Sequence, residues 1–304
     1  VPLFADHPAV RAHHDAELRQ ASDDPAVLRG VAVRIAVEAA AHVARRRPQV
    51  FAAVGDEAVS DAVTTKSTPT DPVTVVDTET EDLIRARLAE IRPGDAVLGE
   101  EGGRDGGPAG VRWVVDPIDG TVNFLYGIPA FAISVAAQID GVSVAGAVVD
   151  VAAGAVYSAA RGLGATVHEA DGTVHRLRCT TVTEVSMSLL ATGFGYAQGR
   201  RRRQGELVAA LLPRVRDIRR IGSAALDLCM VAAGRVDAHY EHGLSPWDWA
   251  AGALVAEEAG AVVRVPSAES SSDEGAIVVA AAPGVATALD AVLAEVGALD
   301  PIPV

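Results

Sequence analysis

The chain has 304 residues, 49% of them hydrophobic, enough for a large core in one or two domains. Its net charge of −14 at pH 7 argues against a partner made of nucleic-acid backbone or anionic membrane, so an anionic ligand would need positive charge from a local source. The two cysteines, Cys179 and Cys229, lack CxxC spacing, the eight histidines lack zinc spacing, and no apolar run is long enough for a membrane span.

Residues 1–28 are polar and weakly patterned and are expected to form an N-terminal extension outside the core, with His13 and His14 on the surface. The segment lacks the basic start and apolar stretch of a secretory leader, and with so few cysteines the expectation is a cytoplasmic protein. From Leu28 to Ala44, LRGVAVRIAVEAAAHVA repeats apolar residues at helical spacing, and RRRPQV predicts its end. A Thr- and Pro-rich loop leads into VTVVD, read as a short strand finishing at Asp77. DTETEDLIRARLAEI then has the acidic start and apolar stripe of a helix. AVLGEE and VRWVVDP read as strands separated by the Gly-rich loop 102–110. The stretch from FAISVAAQ to GATVHE alternates strand-like runs with Gly and Asp turns, an antiparallel meander.

The remainder mixes strands (MSLLATG, DAHYE, AIVVAAA) with helices (GELVAALLPRVRD, SAALDLCMVAAG, WDWAAGALVAEEAG). Residues 29–304 are therefore expected to form one layered α/β (α+β) sandwich, with halves at approximately 29–175 and 176–304 and no internal repeat.

The acids fall into a pattern. Apolar runs finish in Asp77, in Glu100 and Glu101, and in Asp116 and Asp119, and the open ends of strands are where α/β proteins put their chemistry. Asp248 sits near a predicted helix start, where the dipole favours a carboxylate. Each acid has a plainer explanation: Asp-Pro-x-Asp-Gly is a turn signature, LGEEGG a loop entrance, DTETE a capped helix start. A hard divalent cation is the reading that offsets the repulsion between carboxylates at one strand end. GLGATVHEADG and ATGFGYAQG are Gly-rich without the spacing of a P-loop and are read as turns. Arg200 to Arg203 read as a solvated run, with a grip on a second phosphate as the alternative.

DPIDGTVNF resembles the Asp-Pro-Ile-Asp-Gly-Thr-x-Asn-Phe motif of the inositol monophosphatase family, magnesium-dependent and lithium-sensitive phosphatases. GEE upstream, WDWAAGALVAEEAGA downstream and the entry segment KSTPTDPVTVVD match that family in the same order, from about Leu28 to the C-terminus. The resemblance is closest to bacterial inositol-1-monophosphatases. It implies a five-layered αβαβα sandwich, commonly a homodimer, and hydrolysis of myo-inositol 1-phosphate or a related polyol monophosphate by metal-activated water. By this resemblance Glu100, Asp116 and the Ile118 carbonyl hold a first Mg2+ and Asp116, Asp119 and Asp248 a second, with a weaker third ion near Glu100. Asp77 and Thr121 position and deprotonate the attacking water, with Glu100 counted in the catalytic set. Gly120 and Thr121 offer backbone N–H groups to the phosphate, and Ala224 and Glu241 contact the substrate. The alternatives are a phosphatase of the same superfamily for fructose 1,6-bisphosphate, histidinol phosphate or a 3'-phosphonucleotide, or a regulatory protein that keeps the fold. A small-molecule phosphate ester is the expected partner, with neither nucleic acid nor membrane.

Overall fold

Residues 4, 7–11, 22–51, 63–65, 72–105 and 110–304 are described by the structure, a computed structural model; His13, His14 and residues 66–71 of the Thr- and Pro-rich loop lie outside them. A single turn, α1 (Pro8–Arg11), precedes the long helix α2 (Pro25–Val50). Asp24 caps α2 by accepting the Ala26 N–H at 2.8 Å. Phe4, His7 and Ala9 are buried, and His7 Nε2 lies 3.1 Å from the Gly154 carbonyl. This part of the expected extension is therefore packed on the core. Helix α2 also runs past its expected stop, through Pro48. The ring removes one N–H donor, and the Phe51 N–H still closes on the Arg47 carbonyl at 2.9 Å.

Strands β1 (Val63–Thr65) and β2 (Pro72–Thr74) pair as a small antiparallel ribbon. Helix α3 (Val75–Ile91) begins at once, which corrects the reading of VTVVD as a strand ending at Asp77. Thr74 is the N-cap: its Oγ1 accepts the Val76 N–H at 3.2 Å, and Asp77 Oδ2 accepts the Thr74 N–H at 2.9 Å. This reciprocal box starts the helix two residues earlier than the apolar run suggests.

The larger sheet contains β3 (Ala96–Gly99), β4 (Gly103–Asp105), β5 (Val111–Asp119), β6 (Ala132–Ile139), β7 (Val142–Asp150), β8 (Ala155–Ala160), β9 (Gly164–His168) and β10 (Val174–Arg176). Their order is β10-β9-β8-β7-β6-β5-β3-β4, with β3 parallel to β5 and the predicted meander antiparallel. The short helix α4 (Thr121–Tyr126) follows β5. The smaller sheet is built from β11 (Leu189–Thr192), β12 (Asp217–Arg219), β13 (Ala238–His242), β14 (Val262–Arg264) and β15 (Ile277–Ala281), in the order β12-β11-β13-β15-β14. Helices α5 (Gln198–Leu211), α6 (Ala224–Ala232), α7 (Pro246–Glu258) and α8 (Ala286–Glu295) connect or follow these strands.

Alternation along β5 shows the layering. Trp113 and Val115 enter an apolar cluster with Ile35 of α2 and Ile84 of α3. Val114 points the other way, into a cluster with Leu228 of α6, Leu254 of α7, and Val278 and Ala280 of β15. The far face of β15, Ile277 and Val279, packs with Leu207 and Leu211 of α5 and Leu289 and Leu293 of α8. Helices, large sheet, helices, small sheet, helices: the fold is a five-layered αβαβα sandwich.

The arginine run lies inside α5, and a helix separates its members by face. Arg200 is buried, donating from Nε to the Ile302 carbonyl (2.7 Å) and from Nη2 to the carbonyls of Ser272 (2.8 Å) and Asp273 (3.2 Å). Arg203, one turn on, reaches the carbonyls of Val296 and Gly297, while Arg201 and Arg202 are exposed. The reading of a uniformly solvated run is corrected: two of the four hold the C-terminal segment.

Small residues set the middle layer. A Cβ built on Gly252 of α7 would stand 2.9 Å from the Leu228 Cβ, and one on Gly146 of β7 would stand 3.1 Å from Ala251. Gly252→Val is expected to destabilise the protein by about 1–3 kcal/mol through overpacking. Gly205→Ala on the open face of α5, where nothing lies within 4 Å, should instead stabilise by about 0.5–1 kcal/mol. Denaturant unfolding of the two variants checks the contrast.

Candidate functional site

In a regular strand, residues three apart face opposite sides of the sheet. Asp116 pairs with Ser134 of β6 and Asp119 with Ala132, so β5 spends three residues where β6 spends two. This bulge turns both carboxylates toward one cleft. The Ile118 N–H bonds to Asp116 Oδ1 at 2.9 Å, fixing that carboxylate within its own turn. Asp119 Oδ2 accepts the Ser223 hydroxyl at 2.5 Å and the Ala225 N–H at 2.7 Å, both from the start of α6. Asp248, in the first turn of α7, accepts the Ser245 N–H on Oδ2 at 2.6 Å as the acid of a capping box. Oxygens of Asp116, Asp119 and Asp248 lie within 4.8 Å of one another.

Glu100 reaches the same cleft from the β3–β4 turn. That turn is held from below by Glu81 of α3, whose carboxylate accepts the N–H groups of Glu101 (2.7 Å) and Gly102 (2.8 Å) and pairs with Arg85 at 2.8 Å. A Cβ at Gly99 would collide with Glu81. Asp77, one turn before Glu81 on α3, is fully buried. Its Oδ2 is used by Thr74, and its Oδ1 lies 3.2 Å from the Thr121 hydroxyl, which is also 3.0 Å from the Ile118 carbonyl. Gly120, at φ 95°, makes the left-handed step into α4; a Cβ there would meet the Ala130 carbonyl at 3.0 Å. Asn123 fastens the corner by donating its amide to the carbonyls of Ala130 (2.8 Å) and Ile221 (2.9 Å).

The cleft has a volume of about 490 Å³. Its lining also includes Ala224, Glu241 and the segment Gly193–Ala197, which sequence reasoning had treated only as a turn. Gly193 is required there because a Cβ would strike the Glu241 carboxylate. Arg220 supplies local positive charge in this lining, 5.9 Å from the centre of the Phe194 ring. Sequence reasoning also missed Glu81 and Ser223. The i,i+4 spacing of Asp77 and Glu81 was a signal for the first, and a serine just before an apolar helix was a signal for the second.

Burial dominates the electrostatics. It pushes Asp77 up to about 7, Asp119 to about 6 and Glu241 to about 8, and lifts Asp248 well above the carboxylate range. Hydrogen bonds from Thr74 and Ser223 oppose the shift at Asp77 and Asp119, while Glu100 and Asp119 add repulsion at Asp248. An all-oxygen set of mutually repelling carboxylates, largely desolvated at a cleft, fits a hard divalent cation such as magnesium.

The profile of the inositol monophosphatase family matches residues 24–297. The inositol-1-monophosphatase of Mycobacterium leprae (strain TN) is 59% identical over 288 residues, covering 92% of this chain and 98% of that protein. The protein named Nus factor SuhB in Vibrio cholerae serotype O1 is 37% identical over 235 residues, covering 77% of this chain and 83% of that protein. The solved structure of Mycobacterium tuberculosis SuhB is similar with a TM-score of 0.78 at 54% identity, covering 92% of this chain and 100% of that one.

A pH dependence follows from the raised carboxyls. Each binds its proton more tightly folded than unfolded, so between about pH 4 and pH 8 the folded state holds more protons and metal-free stability falls as pH rises. A divalent cation favours the charged forms, so magnesium should raise the melting temperature more at pH 8 than at pH 5. Thermal unfolding with and without magnesium at the two pH values measures this.

Proposed function

The chain belongs to the inositol monophosphatase family and is a phosphatase; from that premise we propose that it hydrolyses myo-inositol 1-phosphate and related polyol monophosphates with magnesium. The observation that carries the reading is the convergence of Asp116, Asp119 and Asp248 at the bulged end of β5. In this proposal Glu100, Asp116 and the Ile118 carbonyl would hold one Mg2+ and Asp116, Asp119 and Asp248 another, with a third, more hydrated ion near Glu100. When bound, magnesium supplies positive charge for a phosphate dianion and acidifies water.

The chain's own groups do the rest. Thr121 and Asp77, already within hydrogen-bond reach of each other, orient the attacking water and take its proton. A carboxyl raised to about 7 is matched to that task at neutral pH. Gly120 and Thr121 present backbone N–H groups to the phosphate. Glu241 and the Ala224 backbone face the leaving alcohol, and Glu241 accepts hydrogen bonds from its neighbouring hydroxyls. A cytoplasmic homodimer, lithium sensitivity, and the absence of nucleic-acid and membrane partners belong to the same proposal. Within the described residues no helix is long and apolar enough to cross a membrane.

The rival substrate class, sugar bisphosphates, needs a cation for the second phosphate. Arg200 is committed to three backbone carbonyls and does not offer one, so that role would fall to Arg220 on the cleft wall. A regulatory role is carried by the names of relatives, the Vibrio protein among them, and by no feature of the site.

Asp119→Asn should abolish magnesium-dependent phosphate release while leaving metal-free stability unchanged or higher, because the neutral amide removes repulsion and its oxygen can still accept from Ser223 and Ala225. Phosphate release at saturating magnesium close to that of the unaltered enzyme would sink the metal assignment. Glu241→Ala should cut kcat/KM for inositol 1-phosphate by roughly tenfold or more, the loss expected when a hydroxyl-binding carboxylate worth about 1–3 kcal/mol is removed. Hydrolysis of p-nitrophenyl phosphate, which has no ring hydroxyls, should barely change. Equal losses on the two esters would show that Glu241 serves the metal centre or the fold instead.

A further inference from the structure

Behind Glu241 the cleft wall hides a second polar cluster. Strand alternation puts His239 and Glu241 of β13 on one face, toward Asp227 in α6. His239 is completely buried and Asp227 is 1% exposed, yet neither imidazole nitrogen and neither Asp227 oxygen has a hydrogen-bond partner. His239 Nδ1 lies 3.8 Å from Asp227 Oδ2, and Nε2 lies 3.9 Å from Glu241 Oε2, both too far for a hydrogen bond. Buried polar groups rarely stay unpartnered, because each has given up its water for nothing in return. Here two carboxyls flank one ring with a gap on either side.

One ligand atom from each of Asp227, His239 and Glu241 can be chosen so that all three lie within 4.8 Å of one another, in a cluster that shares no residue with Asp116, Asp119 and Asp248. We propose that Asp227, His239 and Glu241 form a separate cation site, which takes a borderline first-row ion such as Zn2+ through one imidazole nitrogen and a carboxylate oxygen from each side. The nitrogen donor is what separates this site from the all-oxygen one: imidazole suits such ions, whereas magnesium prefers oxygen and water. Burial favours the protonated forms of Asp227 and Glu241, so the ion binds by displacing their protons, and its divalent charge then balances the two carboxylates. Burial holds the imidazole in its free-base form, the form that ligates, by pushing His239 down to about 3. The ion has a way in, since Glu241 lies on the cleft wall. Once there it would hold the carboxylate assigned to substrate hydroxyls, linking transition-metal supply to polyol hydrolysis.

Metal counting tests the site independently of catalysis. The unaltered protein, His239→Phe and Asp227→Asn are dialysed against zinc with magnesium saturating, and bound metals are measured by mass spectrometry. The unaltered protein is expected to retain about one zinc per chain more than either variant. His239→Phe keeps the ring's bulk and removes two unpartnered nitrogens, so without zinc it should melt no lower than the parent. Cobalt loaded into the unaltered protein provides a readout that needs no variant: an exchangeable imidazole N–H resonance displaced by the paramagnetic ion, which a carboxylate-only cluster cannot give. Equal zinc counts in all three proteins, or cobalt spectra without the displaced imidazole resonance, overturn the site.

Discussion

Repulsion among buried carboxylates is the constraint around which this fold is arranged. Charge of one sign has been gathered at the end of a strand buried along its whole length, where burial raises the proton affinities of Asp119 and of the neighbouring Asp248. The chain meets that cost with donors fixed in place before any ligand arrives. A bulge aims Asp116 and Asp119, helix starts supply N–H groups to Asp119 and Asp248, and Glu81 takes two more from the turn that carries Glu100. Fixed dipoles of this kind hold the geometry without neutralising the charge, which leaves room for a cation.

Helix capping and site building turn out to use the same atoms. Asp77 starts α3 with one oxygen and faces Thr121 with the other, and Asp248 starts α7 while facing Asp116 and Asp119. The choice between a capped helix start and a functional acid, which the local sequence left open at Asp77, was not a choice between exclusive alternatives. A carboxylate has two oxygens.

What was legible in the sequence was local. Strand runs, the meander, and the ends of β3 and β5 follow from alternation and turn residues within a window of a few positions. What was not legible depends on contacts across long separations: Ser223 to Asp119 spans 104 residues and Glu81 to Glu101 spans 20. The Arg run misled because composition describes its charge and not its helical phase; Arg200 and Arg203 share a face, and that face looks inward. The isolation of Asp227 and His239 was equally invisible, since nothing in ALDLC or DAHYE states that the two will be closed off from water together. Family resemblance supplied the layer count, which periodicity alone had left at a generic sandwich.

The middle layer has a further consequence. Helices α6 and α7 touch a sheet on either side, and their contacts are made by Gly252, Gly146, Ala251 and Leu228 at distances with no slack. Such a layer behaves as a spacer of fixed thickness. One jaw of the cleft stands on the large sheet and the other on the small one, so the width of the opening is set by side chains that never see a ligand. A single methyl group at the spacer acts on that gap as a shim acts on a hinge, and the reach between Asp119 and Glu241 is a dimension written in the alanines and glycines packed behind the cleft.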